Sequence, residues 1–123
     1  MIIHGIICPA ITFFDDNFNI NLKLSDILIR HILLNQADAI LLFGSTGEGF
    51  LFSEKIEEII KYVDLTYSIS KGKTPILVGI YGNEIDHVLN QMEILGKKFD
   101  FLNFVLTPPY SKNFPFNDLK NYF

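Results

Sequence analysis

The chain has 123 residues, room for one domain. It is 49% hydrophobic and 20% charged, the composition of a soluble, core-forming protein. A net charge of −4 with no basic run argues against nucleic acid and anionic membranes as partners.

Taken in order, Met1 to Pro9 is apolar but lacks Lys and Arg and is broken by Pro9, which argues against a signal peptide. No stretch approaches the roughly 18 apolar residues of a membrane span. The single cysteine, Cys8, cannot form an internal disulfide, which suits a reducing compartment and a cytoplasmic location. Ile6 to Thr12 is short, apolar and β-branched and reads as a buried strand. Phe14-Asp15-Asp16-Asn17 is turn chemistry. Asp15, Asn17 and Asn19 imitate the start of a calcium loop. Ile20 stands at the position that needs glycine and Asp26 at the position that needs a bidentate glutamate, so no metal is expected there.

Leu24, Ile27, Leu28, His31 and Ile32 recur at helical spacing and predict a helix from about Leu22 to Leu34, with His31 as a packing residue. Asp38 to Phe43 is the second strand. It empties into Gly44-Ser45-Thr46-Gly47-Glu48-Gly49, a loop able to hold a small anion, because glycines let backbone N–H groups converge and the hydroxyls add donors. No Lys-Ser or Lys-Thr closes the loop, and Phe52 stands where a third glycine would complete a dinucleotide fingerprint. With no cation in the loop, a planar carboxylate fits better than a phosphate. The competing reading is a tight turn whose hydroxyls bond only local backbone.

Ser53 is the expected N-cap of the next helix, with Glu54, Glu57 and Glu58 at its positive end and on a solvated face. Ile56, Ile59, Ile60, Val63 and Tyr67 give it one apolar face. Lys71 to Thr74 is a turn, and Pro75 to Gly79 a third strand. Tyr81-Gly82-Asn83 leads into a third helix with Ile85, Val88, Leu89 and Met92 on one face, His87 exposed in its first turn and Gly96 as its stop. Phe101 to Leu106 is the fourth strand, Thr107 to Lys112 a rigid loop, and Phe116 to Phe123 the start of another helix.

The order β-α-β-α-β-α-β-(α), with continuous apolar strands, predicts an α/β protein whose parallel sheet is covered by helices. A doubly wound sheet and part of an eight-stranded barrel both fit. In either, ligands sit at the carboxyl ends of strands. Here those ends carry Thr12, Gly44-Ser45-Thr46, Gly79 and Thr107-Pro108-Pro109-Tyr110.

Gly5-Ile6-Ile7-Cys8-Pro9-Ala10-Ile11-Thr12, Gly44-Ser45-Thr46-Gly47-Glu48, Pro75-Ile76-Leu77-Val78-Gly79 with Asn83, and Thr107-Pro108-Pro109-Tyr110 follow one another at separations that resemble the dihydrodipicolinate synthase / N-acetylneuraminate lyase (DapA-like) family. The wording is nearest to archaeal-type 2-keto-3-deoxygluconate aldolases. The resemblance implies the N-terminal half of a (β/α)8 TIM barrel and class I lyase or aldolase chemistry without a cofactor. In that chemistry a lysine forms a Schiff base with pyruvate or another 2-keto acid, and an aldehyde is added or released. It makes Ser45 the hydroxyl of a proton relay. Gly44, Ser45, Thr46 and Gly47 become the substrate-binding loop, with Thr46 holding the carboxylate. It makes Tyr110 the tyrosine that enters a neighbouring subunit's site, so a homo-oligomer is expected.

Phe13 stands where the family has proline, and Pro109 replaces the first of two tyrosines. The family's Schiff-base lysine lies on a sixth strand and its principal acid/base tyrosine on a fifth, whereas four strands are legible here. The lysines present fall on predicted helices, turns or the last loop, and none ends an apolar strand, where burial could tune an amine for nucleophilic work. The chain alone is therefore expected to be inactive and to need a missing C-terminal half or a second copy. A non-catalytic half-barrel subunit and a small doubly wound anion-binding domain are the alternatives. Ser45 in place of threonine, with the Pro-Pro-Tyr wording, tilts the substrate toward a sugar acid.

Overall fold

Four apolar runs with little intrinsic polarity become four parallel strands, because each connection is long enough to carry a helix back across the sheet. The computed structural model describes residues 3–106. The elements are β1 (Ile7–Pro9), α1 (Leu22–Leu34), β2 (Ala39–Leu42), α2 (Ile56–Ser70), β3 (Ile76–Ile80), α3 (Ile85–Lys98) and β4 (Asn103–Leu106), with a 3₁₀ turn at Gly49–Phe52. The expected Thr107–Lys112 loop with Tyr110, and the helix expected at Phe116–Phe123, lie outside the described residues.

The sheet order is β1-β2-β3-β4, all parallel. Ile7 pairs with Ala39, Ile40 with Ile76, and Leu77 with Asn103. Sequence order and spatial order coincide, so the sheet has no switch point. That is the topology of an opened barrel and not of a doubly wound sheet. Within the described residues no helix is long and apolar enough to cross a membrane.

β3 is one of the two inner strands, and all five of its residues are buried. Ile40 and Leu42 from β2, Phe43 just after it, Ile59, Tyr62 and Val63 from α2, and Ile29 and Ile32 from α1 close over the sheet as one core. Phe43 meets Phe52 and Tyr62 edge to face, with ring centroids 5.0 and 5.6 Å apart. Such pairs stabilise by about 0.5–1.5 kcal/mol beyond the area they bury.

Several expectations need correction. β1 is not buried: Ile6, Ile7 and Ile11 are exposed, because β1 is an edge strand with no described neighbour on its far side. α1 has the expected bounds, but it turns Ser25, Ile29 and Ile32 inward, leaving Leu24, Ile27 and His31 exposed. His31 is thus no packing residue, and its Nε2 lies 3.4 Å from the Asn35 amide.

Ser53 does not cap α2. The chain winds first into the 3₁₀ turn, Ser53 caps the C-terminal end of that turn, and Lys55 precedes the helix without a side-chain cap. The acidic face is not wholly solvated either. Glu58 is buried, accepts the Ile20 N–H at 2.9 Å, and pairs with Lys61 at 2.6 Å. Gly96 does not end α3, which runs on to Lys98 and turns Val88, Gln91 and Leu95 inward, leaving Ile85 and Leu89 exposed. His87 is half-buried, with Nε2 3.0 Å from the Ser53 carbonyl.

In the loop before α1, the Asp15 carboxylate accepts the amides of Asn17 and Asn19 at 2.8 and 2.9 Å. This is an Asx-type turn built by one side chain.

Candidate active site

β2 ends at Leu42, and the next residue reverses the chain. Phe43 takes a left-handed backbone, φ 55°, which a bulky residue seldom adopts. Its carbonyl then projects into a gap that only glycine leaves open. A Cβ on Gly79 would stand 2.1 Å from the Phe43 oxygen, and one on Gly49 would stand 2.0 Å from it. Gly79 of β3 and Gly49 of the loop are thus required by close backbone approach.

From this pivot the loop folds on itself. The Gly44 carbonyl accepts the N–H groups of Gly47 and Gly49 at 3.0 and 3.2 Å, and the Ser45 carbonyl accepts that of Glu48 at 3.2 Å. Thr12, after β1, donates its buried hydroxyl to the Gly47 carbonyl at 2.7 Å and ties the ends of the first two strands together. Among the described residues, the amides of Ser45 and Thr46 have no acceptor. Ser45 and Thr46 are exposed, whereas Gly44 and Gly47 are buried beneath them. Two consecutive N–H groups and two hydroxyls at the tip of a fixed loop can donate to the two oxygens of a carboxylate.

The Ser45 hydroxyl has a neighbour that sequence reasoning missed. Tyr81 follows β3, is 5% exposed, and places its hydroxyl 3.5 Å from Ser45 Oγ. Its carbonyl is held by the buried Gln91 Nε2 at 2.7 Å. The available signal was position, since Tyr81 comes at the carboxyl end of a strand, where such folds gather their chemistry. Tyr81 also lines a cleft of about 520 Å³ with Phe50, Ser53, Glu54, Asn83 and His87. Across that cleft His87 Nε2 lies 3.5 Å from a Glu54 carboxylate oxygen.

The structure thus brings together Gly44, Ser45, Thr46 and Gly47, the four expected loop residues, and adds Thr12 and Tyr81. Tyr110 lies outside the described residues. The described lysines (Lys23, Lys55, Lys61, Lys71, Lys73, Lys97 and Lys98) sit on helices or in the segments beside them, and none ends a strand. Burial pushes the Tyr62 phenol up to about 12, and its hydroxyl donates to the Ile11 carbonyl at 3.3 Å, away from the loop tip.

The model of the Dihydrodipicolinate synthetase family matches residues 2–123. The 4-hydroxy-tetrahydrodipicolinate synthase of Rickettsia felis is 31% identical over 108 residues, covering 88% of this chain and 35% of that protein. The 2-keto 3-deoxygluconate aldolase of Picrophilus torridus superposes with a TM-score of 0.78 at 27% identity, over 96% of this chain and 41% of that one. A prophage protein of the dihydrodipicolinic acid synthase family from E. coli K12, solved in complex with pyruvate, has the same fold. Its TM-score is 0.76 at 20% identity, over 96% of this chain and 39% of that one. The chain therefore spans about a third of the length of the curated relatives it matches.

Proposed function

The chain belongs to the dihydrodipicolinate synthetase family, and from that membership we propose that it forms the carboxylate-holding part of a pyruvate-dependent class I aldolase or lyase. The observation that carries the reading is the Ser45-Thr46 tip, with two amides that have no acceptor among the described residues and a hydroxyl beside a phenol, at the carboxyl ends of parallel strands. On this reading Thr46 and the two amides bind the carboxylate of a 2-keto acid. Ser45 holds or passes a proton near the carbonyl, and Tyr110 of a second subunit approaches the same hydroxyl. The pyruvate bound by the E. coli prophage protein supports the choice of ligand. The nucleophilic lysine, which the resemblance puts on a sixth strand, belongs to sequence beyond these four strands, because none of the described lysines ends one. A 2-keto-3-deoxy sugar acid is the favoured substrate class, and a soluble homo-oligomer in the cytoplasm is the setting.

The deciding experiment is intact-mass spectrometry after incubation with pyruvate and borohydride. A lysine amine condenses with the keto group, losing water, and hydride reduces the imine to a stable secondary amine. A single adduct is expected on the whole protein and none on a described lysine. An adduct mapped to Lys23, Lys55, Lys61, Lys71, Lys73, Lys97 or Lys98 overturns the placement of the nucleophile. No adduct on the whole protein overturns the aldolase reading. In the active protein, Ser45→Ala is expected to lower turnover by about 10²-fold, as loss of a placed proton-transfer group does. Unchanged turnover removes Ser45 from the relay.

A further inference from the structure

We propose that Tyr81 is the positioning residue for Ser45, its phenol fixing the orientation of the serine hydroxyl from within the same chain. The proposal rests on the functional reading given above for Ser45. A serine hydroxyl on an exposed loop tip rotates among three staggered positions, and proton transfer needs it turned toward the substrate. A second hydroxyl at hydrogen-bond range selects among them. Tyr81 offers one at 3.5 Å, and either oxygen can be the donor.

The phenol is well placed to hold something else still, because it is itself held. Tyr81 is 5% exposed. Its backbone carbonyl is tied to α3 through Gln91, which is 3% exposed. Its ring lies over Gly49, where an added Cβ would come within 2.5 Å of Tyr81 Cε2. The glycine that admits the Phe43 carbonyl therefore also admits the tyrosine ring. The other described phenols are engaged elsewhere: Tyr62 donates to the Ile11 carbonyl, and Tyr67 stacks on Phe101 at 4.1 Å. Among the described residues, Tyr81 is the phenol at the Ser45 hydroxyl.

Tyr81→Phe removes one oxygen and keeps the packing, so it tests the hydroxyl and not the fold. In the whole protein, it is expected to lower kcat about tenfold and to leave KM within about twofold, because orientation and not carboxylate binding is lost. In a Ser45→Ala background the same change is expected to add less than about a twofold effect, since two residues acting through one contact are not additive. A Tyr81→Phe protein with unchanged kcat, or effects that multiply in the double variant, overturns the proposal.

A second readout does not need turnover. In protein labelled at the tyrosine Cζ carbon, Tyr81→Phe identifies the Tyr81 resonance. Ser45→Ala is then expected to move that resonance and leave those of Tyr62 and Tyr67 in place. A Tyr81 resonance indifferent to Ser45→Ala shows that the two hydroxyls do not touch, and overturns the proposal. Absence of pyruvate-dependent turnover in the whole wild-type protein, with its later strands, counts against the aldolase reading, while the resonance shift still decides the contact.

Discussion

Phe43 holds a conformation that costs about 1–3 kcal/mol in a non-glycine residue. It persists because its ring is fully buried between Phe52 and Tyr62, and because its carbonyl has a slot between Gly49 and Gly79. Aromatic packing and two glycines thus hold one strained peptide, and that peptide aims the Ser45-Thr46 amides. Gly79→Ala puts a methyl group 2.1 Å from a backbone oxygen that cannot swing aside as a side chain would. It should lower unfolding free energy by about 1–3 kcal/mol, the usual range for overpacking, read from the denaturant midpoint. It should also weaken pyruvate binding, because the loop must shift to admit the methyl. A Gly79→Ala protein of wild-type stability and affinity shows the pivot to be unimportant.

Glu58 works at the next scale, joining α2 to the segment that enters α1. Burial alone raises its carboxyl pKa. The Lys61 ammonium and the Ile20 N–H outweigh that and hold it below the ordinary glutamate value of 4.5. The folded state therefore binds this proton less readily than the unfolded chain does. The stabilisation is fully present above about pH 4.5 and is lost as pH falls through the lower folded-state value. Thermal melts between pH 6 and 3 should show the acid-side loss in the wild type and a flatter profile in Glu58→Ala. That variant should also be about 1–3 kcal/mol less stable at neutral pH, because it strands a buried amide. An unaltered acid profile in the variant assigns the acid sensitivity elsewhere.

Helix bounds such as Leu22–Leu34 were legible in the sequence; helix faces were less so. α1 is apolar at Leu24, Ile27 and Leu28 but also at Ile29, Ile32 and Leu33, so its periodicity allows neighbouring rotations, and the sheet chooses between them. Ser53 looked like a cap because a serine before an acidic helix usually is one. The 3₁₀ turn consumed that position. The Gly44–Gly47 loop was legible because glycines and hydroxyls mark it locally. Tyr81 was not, because its contact with Ser45 crosses from one βα unit to the next.

For the whole molecule, the unequal covering of the sheet matters most. All five residues of β3 are buried, while β1 leaves Ile7 43% exposed, Ile6 just before it is 72% exposed, and α1 leaves Ile27 60% and Leu34 80% exposed. Exposed apolar side chains at a sheet edge and on a helix suit the homo-oligomer proposed above. The 123-residue chain is expected to run larger than a monomer in light-scattering chromatography. Replacing both Ile27 and Leu34 by lysine should shift it toward monomer. A wild-type chain that is monomeric at high concentration contradicts this. The sequential strand order carries a last consequence, for how the molecule is made. Each strand pairs with one only about thirty residues away, so every closure carries a similar and modest entropy cost. Among the described residues, no pairing waits for a distant segment. The sheet can grow unit by unit as the chain emerges, with the Ser45-Thr46 tip formed once β3 has docked and supplied Gly79 and Tyr81.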